Sequence, residues 1–266
     1  MVNVLSAALF SVLIIGANTA RASPEWDRQY ALETVGLLPA WDNADGIFVD
    51  YLKKAFEKYF NEQSRFVLKD IAPATELLRK SKVPYEKLIE DREILTRLSH
   101  TARVESLVRI GVRKDGNKYS IKIDWLHAPK IEILGTVTAP IEPASESKPG
   151  SNAALYASVA KAIDQVIARV PFRGQITGRD SSLVTVNIGK NAALRKNDIL
   201  VIGTVEDVSI HPLLKQINTW SLVKTGRLVV ETVDDKMAFC KVVDEEIGKK
   251  IDKYQKITQV ISPMTP

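Results

Sequence analysis

The triplet Gly189-Lys190-Asn191 closes an apolar run, LVTVNIG, and is the part of this chain that comes nearest to a nucleotide-binding loop. Such a loop wraps phosphates in glycine backbone, reaches them with a lysine and holds magnesium through the Ser or Thr that follows, all at the entrance to a helix. Each of those parts fails here. Val184 stands five residues before Gly189, where the first glycine belongs, and Asn191 replaces the hydroxyl. The following KNAALRKND is too short for a full helix before the apolar run ILVIG begins. A structural reading accounts for every residue. Gly174, Gly178 and Gly189 turn the chain or let backbone approach backbone, Leu194 packs inward, and residues 195–198 make the next turn.

Other residues with chemical potential are too separated to act together. His100, His127 and His211 show no metal-ligand spacing. Cys240, in KMAFCKVV, has no second cysteine to pair with and reads as a small apolar residue in a strand. Ser181-Ser182 lacks the glycine frame of a nucleophile elbow. The acid pairs Asp234-Asp235 and Asp244-Glu245-Glu246 fall at turns or strand ends, with nothing to bring two carboxylates into one cleft. No catalytic, cofactor-binding or metal-binding residue is assigned. One apolar excursion stands out, His211-Pro212-Leu213-Leu214, with Trp220 six residues further on. It is either a plug for an open barrel end or a partner-docking loop, and His211, Leu213, Leu214 and Trp220 are the candidate docking residues.

Composition narrows the elements that must position these residues. Apolar residues make up 45% and charged residues 26% of the 266, an ordinary globular balance. Lys and Arg (37) nearly match Asp and Glu (32), and the net charge of +5 is scattered rather than gathered in a stripe, so a nucleic-acid partner is not expected.

Residues 31–38 read as a strand. Residues 47–60 (IFVDYLKKAFEKYF) read as a helix, because Ile47, Phe48, Tyr51, Leu52, Ala55, Phe56, Tyr59 and Phe60 recur at spacings of three and four. A short strand over 64–70 returns beside the first, and the helix-length crossover predicts a parallel pair. Two or three short helices over 74–101, interrupted at Pro84, lead to two alternating runs joined by Asp115-Gly116-Asn117, a hairpin signal. Tyr119, Ile121, Ile123 and Trp125 share one face of the second run, with Lys118, Ser120, Lys122 and Asp124 on the other. A third strand over 130–139, a polar surface loop over 141–152 and a helix over 153–170 follow, the helix ended by Pro171. Beyond it helical periodicity gives way to short strands and turns, the pattern of a small barrel or sandwich. The expected fold class is α+β: a mixed α/β sandwich domain over 23–170, then a small β-domain over 171–262.

Residues 5–17 (LSAALFSVLIIGA) form an apolar run of secretory-signal length, too short for a membrane span, and Ala20-Arg21-Ala22 supplies a cleavage pattern. A signal peptide over 1–22 is therefore expected, although residues 1–4 carry no Lys or Arg.

The order GQITGR, then VTVNIG, then a Leu-x-x-x-Asp turn into ILVI, and later GRLVVETV resembles the C-terminal domain of the flagellar assembly protein T family, an SH3-like barrel of the bacterial periplasm. The likeness covers residues 172–258; the insert HPLLKQINTW has no counterpart in the family's pattern. The region before it is similar in outline, by topology, to the small α/β domains of TolB's N-terminal part and of CsgG, the curli secretion component. These resemblances imply an SH3-like β-barrel and a non-catalytic periplasmic module that assembles with other envelope proteins, in the flagellar or another motility apparatus. They leave outer-membrane or peptidoglycan association and oligomerisation open. An envelope enzyme or glycan-binding protein with a site between the domains is the alternative, which a cluster of polar residues converging there would favour.

Overall fold

A computed structural model of the chain describes residues 24–43, 46–62, 65–79, 83–116, 118–141 and 152–263. The expected signal peptide and residues 142–151 of the polar loop lie outside the described residues.

A short helix, α1 (Pro24–Gln29), precedes β1 (Thr34–Leu37) and the two-residue β2 (Trp41–Asp42). The amphipathic α2 (Val49–Glu62) crosses to β3 (Val67–Lys69), which pairs parallel with β1 as the crossover length predicts. Leu52, Ala55, Phe56 and Phe60 are the buried stripe of α2, whereas Ile47 and Tyr51, read into the same stripe from the sequence, are exposed. Ile47 precedes the helix, so the stripe begins a turn later than its apolar spacing suggests. Three short helices follow, α3 (Ala72–Arg79), α4 (Tyr85–Leu88) and α5 (Arg92–Ala102). Asp91 caps α5 by accepting from the Glu93 and Ile94 amides. Then β4 (Ser106–Asp115) and β5 (Lys118–His127) form the expected hairpin, with Gly116 at φ +57°. Antiparallel β6 (Glu132–Ile141) and helix α6 (Asn152–Ile167) complete the domain.

The sheet order is β3-β1-β4-β5-β6, parallel on one side of β4 and antiparallel on the other. Helices α2 and α6 cover one face over Val108, Ile110, Val112, Ile121, Ile123 and Trp125. Helices α3, α4 and α5 cover the other over Leu107, Leu126 and Ala128. Under this second cover Asp124, on the face of β5 opposite Trp125, can be buried. The reason is a fully paired carboxylate, which accepts from Arg109 Nε at 2.9 Å and Thr136 Oγ1 at 2.8 Å, while Arg109 also donates to the Ile89 carbonyl after α4.

After α6 the chain enters a closed barrel of six antiparallel strands: β7 (Gly174–Asp180), β8 (Leu183–Val186), β9 (Ile199–Ile210), β10 (Ile217–Val233), β11 (Ala238–Glu245) and β12 (Lys256–Ile261). They close in the order β10-β11-β8-β7-β12-β9. Ile176, Val184, Val186, Leu200, Ile202, Leu228, Val230 and Cys240 fill the interior, the inward halves of alternating strands. The fold class is thus α+β, an α/β sandwich followed by a small barrel.

Strands β9 and β10 are longer than the barrel needs. The partner β12 leaves β9 after Gly203, and beyond that point β9 and β10 continue alone as a two-stranded ribbon over 204–210 and 217–223. Val205, Val208 and Ile217 of this ribbon pack into the core of the α/β domain, not that of the barrel. Its far end meets β6, where Gln216 bridges Ile133 and covers part of the sheet edge.

Candidate functional site

The structure explains the glycine-lysine triplet directly. At Gly189 a Cβ would stand 2.3 Å from the Asp234 carbonyl oxygen, because the β10–β11 turn crosses the backbone there. The Lys190 and Asn191 amides donate to the Asp234 and Asp235 carbonyls at 2.9 and 3.0 Å, so the donors a phosphate would need are bonded within the chain. Lys190 extends into solvent. Gly174 likewise allows close approach, its Cβ position lying 2.7 Å from Ile188, while Gly178 meets nothing nearer than 4.0 Å.

The apolar excursion is the tip of the long ribbon. His211 N donates to the Gln216 carbonyl at 2.8 Å, and Lys215 N returns to the His211 carbonyl at 2.9 Å, with Lys215 in the left-handed region at φ 55°. The His211 ring braces the turn from within: its Nδ1 accepts from the Leu213 and Leu214 amides at 3.3 and 3.1 Å, which fixes the proton on Nε2. The base is anchored by Ile133 N donating to the Lys215 carbonyl at 2.8 Å. Held this way, Leu213 and Leu214 are 85% and 61% exposed. The turn therefore stands off the barrel rather than plugging it. Trp220 is separated from the other three. It is half-buried in the seam between the domains, edge-on to Tyr30 at 5.0 Å and to Phe172 at 5.7 Å between ring centres.

That seam holds most of the buried polar side chains with shifted proton affinity. Asp27 of α1 accepts from the Val205 amide at 2.9 Å and from the Thr204 hydroxyl, so α1 is bonded to the ribbon. Burial raises the Asp27 carboxyl, and Thr204, Val205 and Lys256 work against that rise. Lys256 is fully buried and donates to the Asp27 carbonyl at 2.9 Å and the Tyr254 carbonyl at 2.7 Å. Burial pulls its ammonium down to about 7, with Asp27 acting in the opposite direction. On the other side of α1, Tyr30 donates to Glu132 at 2.9 Å and stacks on His127, which shares a 2.9 Å hydrogen bond with the Gln29 carbonyl through Nε2. Burial works to raise the Glu132 carboxyl, but His127 and Tyr30 outweigh it and hold it low. Among the described residues no three His, Cys, Asp or Glu side chains are grouped to hold a metal ion.

Comparisons with known proteins fit this architecture only in part. No protein-family model and no curated protein matches the chain in sequence. Among solved structures, the chain is similar to the C-terminal domain of LpoB from Salmonella enterica, at 8% identity and a TM-score of 0.34 over 42% of this chain and 84% of that one. It is similar to the lipoprotein GNA1162 from Neisseria meningitidis at 14% identity and a TM-score of 0.35, over 51% of this chain and 96% of that one. It is also similar to TolB from Acinetobacter baumannii at 11% identity and a TM-score of 0.32, over 78% of this chain and 57% of that one. Each is a distant, partial likeness of chain trace.

The seam residues Asp27, Tyr30 and Lys256 went unremarked in the sequence, and His127 was weighed only as a metal ligand. Lys256, in KYQKIT, looks like any lysine on a short strand. The available signal was Tyr30-Ala31-Leu32, an apolar start at the edge of the first strand that needed a cover.

Proposed function

We propose that this chain is a non-catalytic module of the bacterial cell envelope that docks another envelope protein through the ribbon tip formed by His211, Leu213 and Leu214. One observation carries the reading: two adjacent leucines are held in water on a turn that the His211 ring and three backbone bonds make rigid. A flexible loop could fold its leucines down, whereas a braced tip presents them with little further ordering on binding. Trp220 serves as the anchor of the ribbon rather than as a contact. Secretion rests on the apolar run over 5–17 and the Ala20-Arg21-Ala22 pattern, and a periplasmic place follows from it. The likeness of residues 172–258 to flagellar assembly protein T makes the motility apparatus the first machine to search.

The test places a photoreactive phenylalanine analogue at Leu213 in cells, with Val243, an exposed apolar residue on the barrel wall, as the control. Adducts with an envelope protein at position 213 and none at 243 support the reading; the same adducts at both, or none at 213, reject it. N-terminal sequencing of protein from the periplasmic fraction should begin at Ser23, and a chain beginning at Met1 rejects the location.

A further inference from the structure

Next to the seam, where α2 and α6 face the barrel, lies a cleft of about 600 Å³. Tyr59 and Asp164 stand on the helical wall, Ile188 on the barrel wall, and Arg65 and Phe172 line it as well. Its size is that of a small-molecule site.

Arg65 is the unusual member. Its guanidinium lies over two ring faces, 4.8 Å from the Phe66 centre and 5.0 Å from the Phe172 centre. Its carbonyl accepts from Asn187 Nδ2 of the barrel at 3.1 Å, which fixes the backbone at the domain junction. Yet Nη2 is buried with no hydrogen-bond partner. Burial lowers the guanidinium to about 9, and no carboxylate opposes this; only Tyr59 does. A buried cation in a folded protein is ordinarily paired with an acid. The nearest acid lining the cleft, Asp164, is engaged instead by the Tyr59 hydroxyl. Arg173 adds a second, exposed cation at the rim, so the lining carries two positive charges against one negative. Ring faces hold a guanidinium in place without neutralising it, and Nη2, on the edge that grips a carboxylate, keeps its hydrogen-bonding capacity unused.

We propose that this cleft binds an organic monocarboxylate, its oxygens on the Arg65 guanidinium and its apolar body against Ile167 and Ile188. The net lining charge of plus one matches one carboxylate, and the Asp164 carboxylate opposes a second negative charge. The site spans both domains, since Tyr59 and Asp164 come from the first and Ile188 from the second.

Hexanoate and its neutral counterpart hexanamide are suitable probes for calorimetric titration of the purified protein. Hexanoate should bind at least about tenfold more tightly than hexanamide, a discrimination one charged hydrogen-bonded pair can supply. Arg65→Gln should abolish the difference. Ala168→Trp, on an exposed rim position, should exclude both probes without touching either core. Asp164→Asn should tighten hexanoate by removing the one negative charge of the lining. Equal affinity for the two probes, no hexanoate binding at millimolar concentration, or binding that survives Ala168→Trp overturns the proposal. The paired variant Leu213→Asp with Leu214→Asp should leave hexanoate binding unchanged, which separates this site from the docking tip.

Discussion

The two ends of the β9–β10 hairpin run the same pair of strands into different surroundings. At the barrel end, Leu200, Ile202, Leu228 and Val230 face a closed interior shared with four other strands. At the ribbon end, Val205, Val208 and Ile217 join the core of the α/β domain, and Trp220 fills the seam. The alternation of apolar residues is similar in both, so the pattern identifies strand but not which core it serves. Register shifts near Ser221 and Lys224 accompany the change of face, as bulges do where a strand must bend. A ribbon that belongs to one domain by hydrogen bonding and to the other by packing ties the two together.

Trp220→Ala tests that coupling most severely. It should lower stability by about 2–4 kcal/mol, as the loss of a large aromatic in a packed site does. It should also resolve one calorimetric unfolding transition into two, with the barrel the later. A single transition at the unaltered temperature would mean that the ribbon does not bind the domains together.

Lys256 tests the same seam through pH. Its proton is held less tightly in the folded chain, at about 7, than in the unfolded chain, so the unfolded state binds more protons above that pH. Stability to urea should therefore rise between about pH 7 and pH 9, by about 2 kcal/mol. The Cys240 thiol and the buried tyrosines, all raised by burial, oppose this trend only at higher pH. Lys256→Met should flatten the rise, and an equal slope in wild type and variant would assign it elsewhere.

Cys240 sharpens the contrast from the barrel side. Its thiol is buried and pushed up to about 12, chiefly by burial, so iodoacetamide at pH 8 should label it only after unfolding. Cys240→Ser should cost about 1–2 kcal/mol by placing a hydroxyl in an apolar interior. Labelling of the native protein would show that the barrel opens. The smallest effect on stability belongs to the tip. Leu214→Asp should change it by less than about 0.5 kcal/mol, the range of exposed positions, while removing the partner crosslinked through position 213. An unfolding temperature that drops with it would make the tip a structural element.

Much of the fold was legible in the chain. The buried stripe of α2, the parallel return of β3, the Asp115-Gly116 hairpin and the turn-rich strands after Pro171 all follow from local periodicity and turn chemistry. The candidate tip was legible as an insert, since HPLL stands out between two strands. Its separation from Trp220 was not, because a six-residue spacing does not say whether a strand lies on solvent or on another domain. The burial of Asp124 was not legible for the same reason: alternation finds the second face of a strand but not the helices that cover it.

Apart from α1 and the two-residue β2, the sequence by itself determined the kinds of element, their order and the absence of a phosphate loop at Gly189, because these depend on neighbours along the chain. Only the tertiary structure decided that α1 clamps the ribbon through Asp27, that Lys256 is buried, and that Arg65 lines a cleft with Nη2 unpartnered. Those outcomes join residues separated by long stretches of chain, and burial and charge pairing at such distances are set by packing rather than by any local pattern.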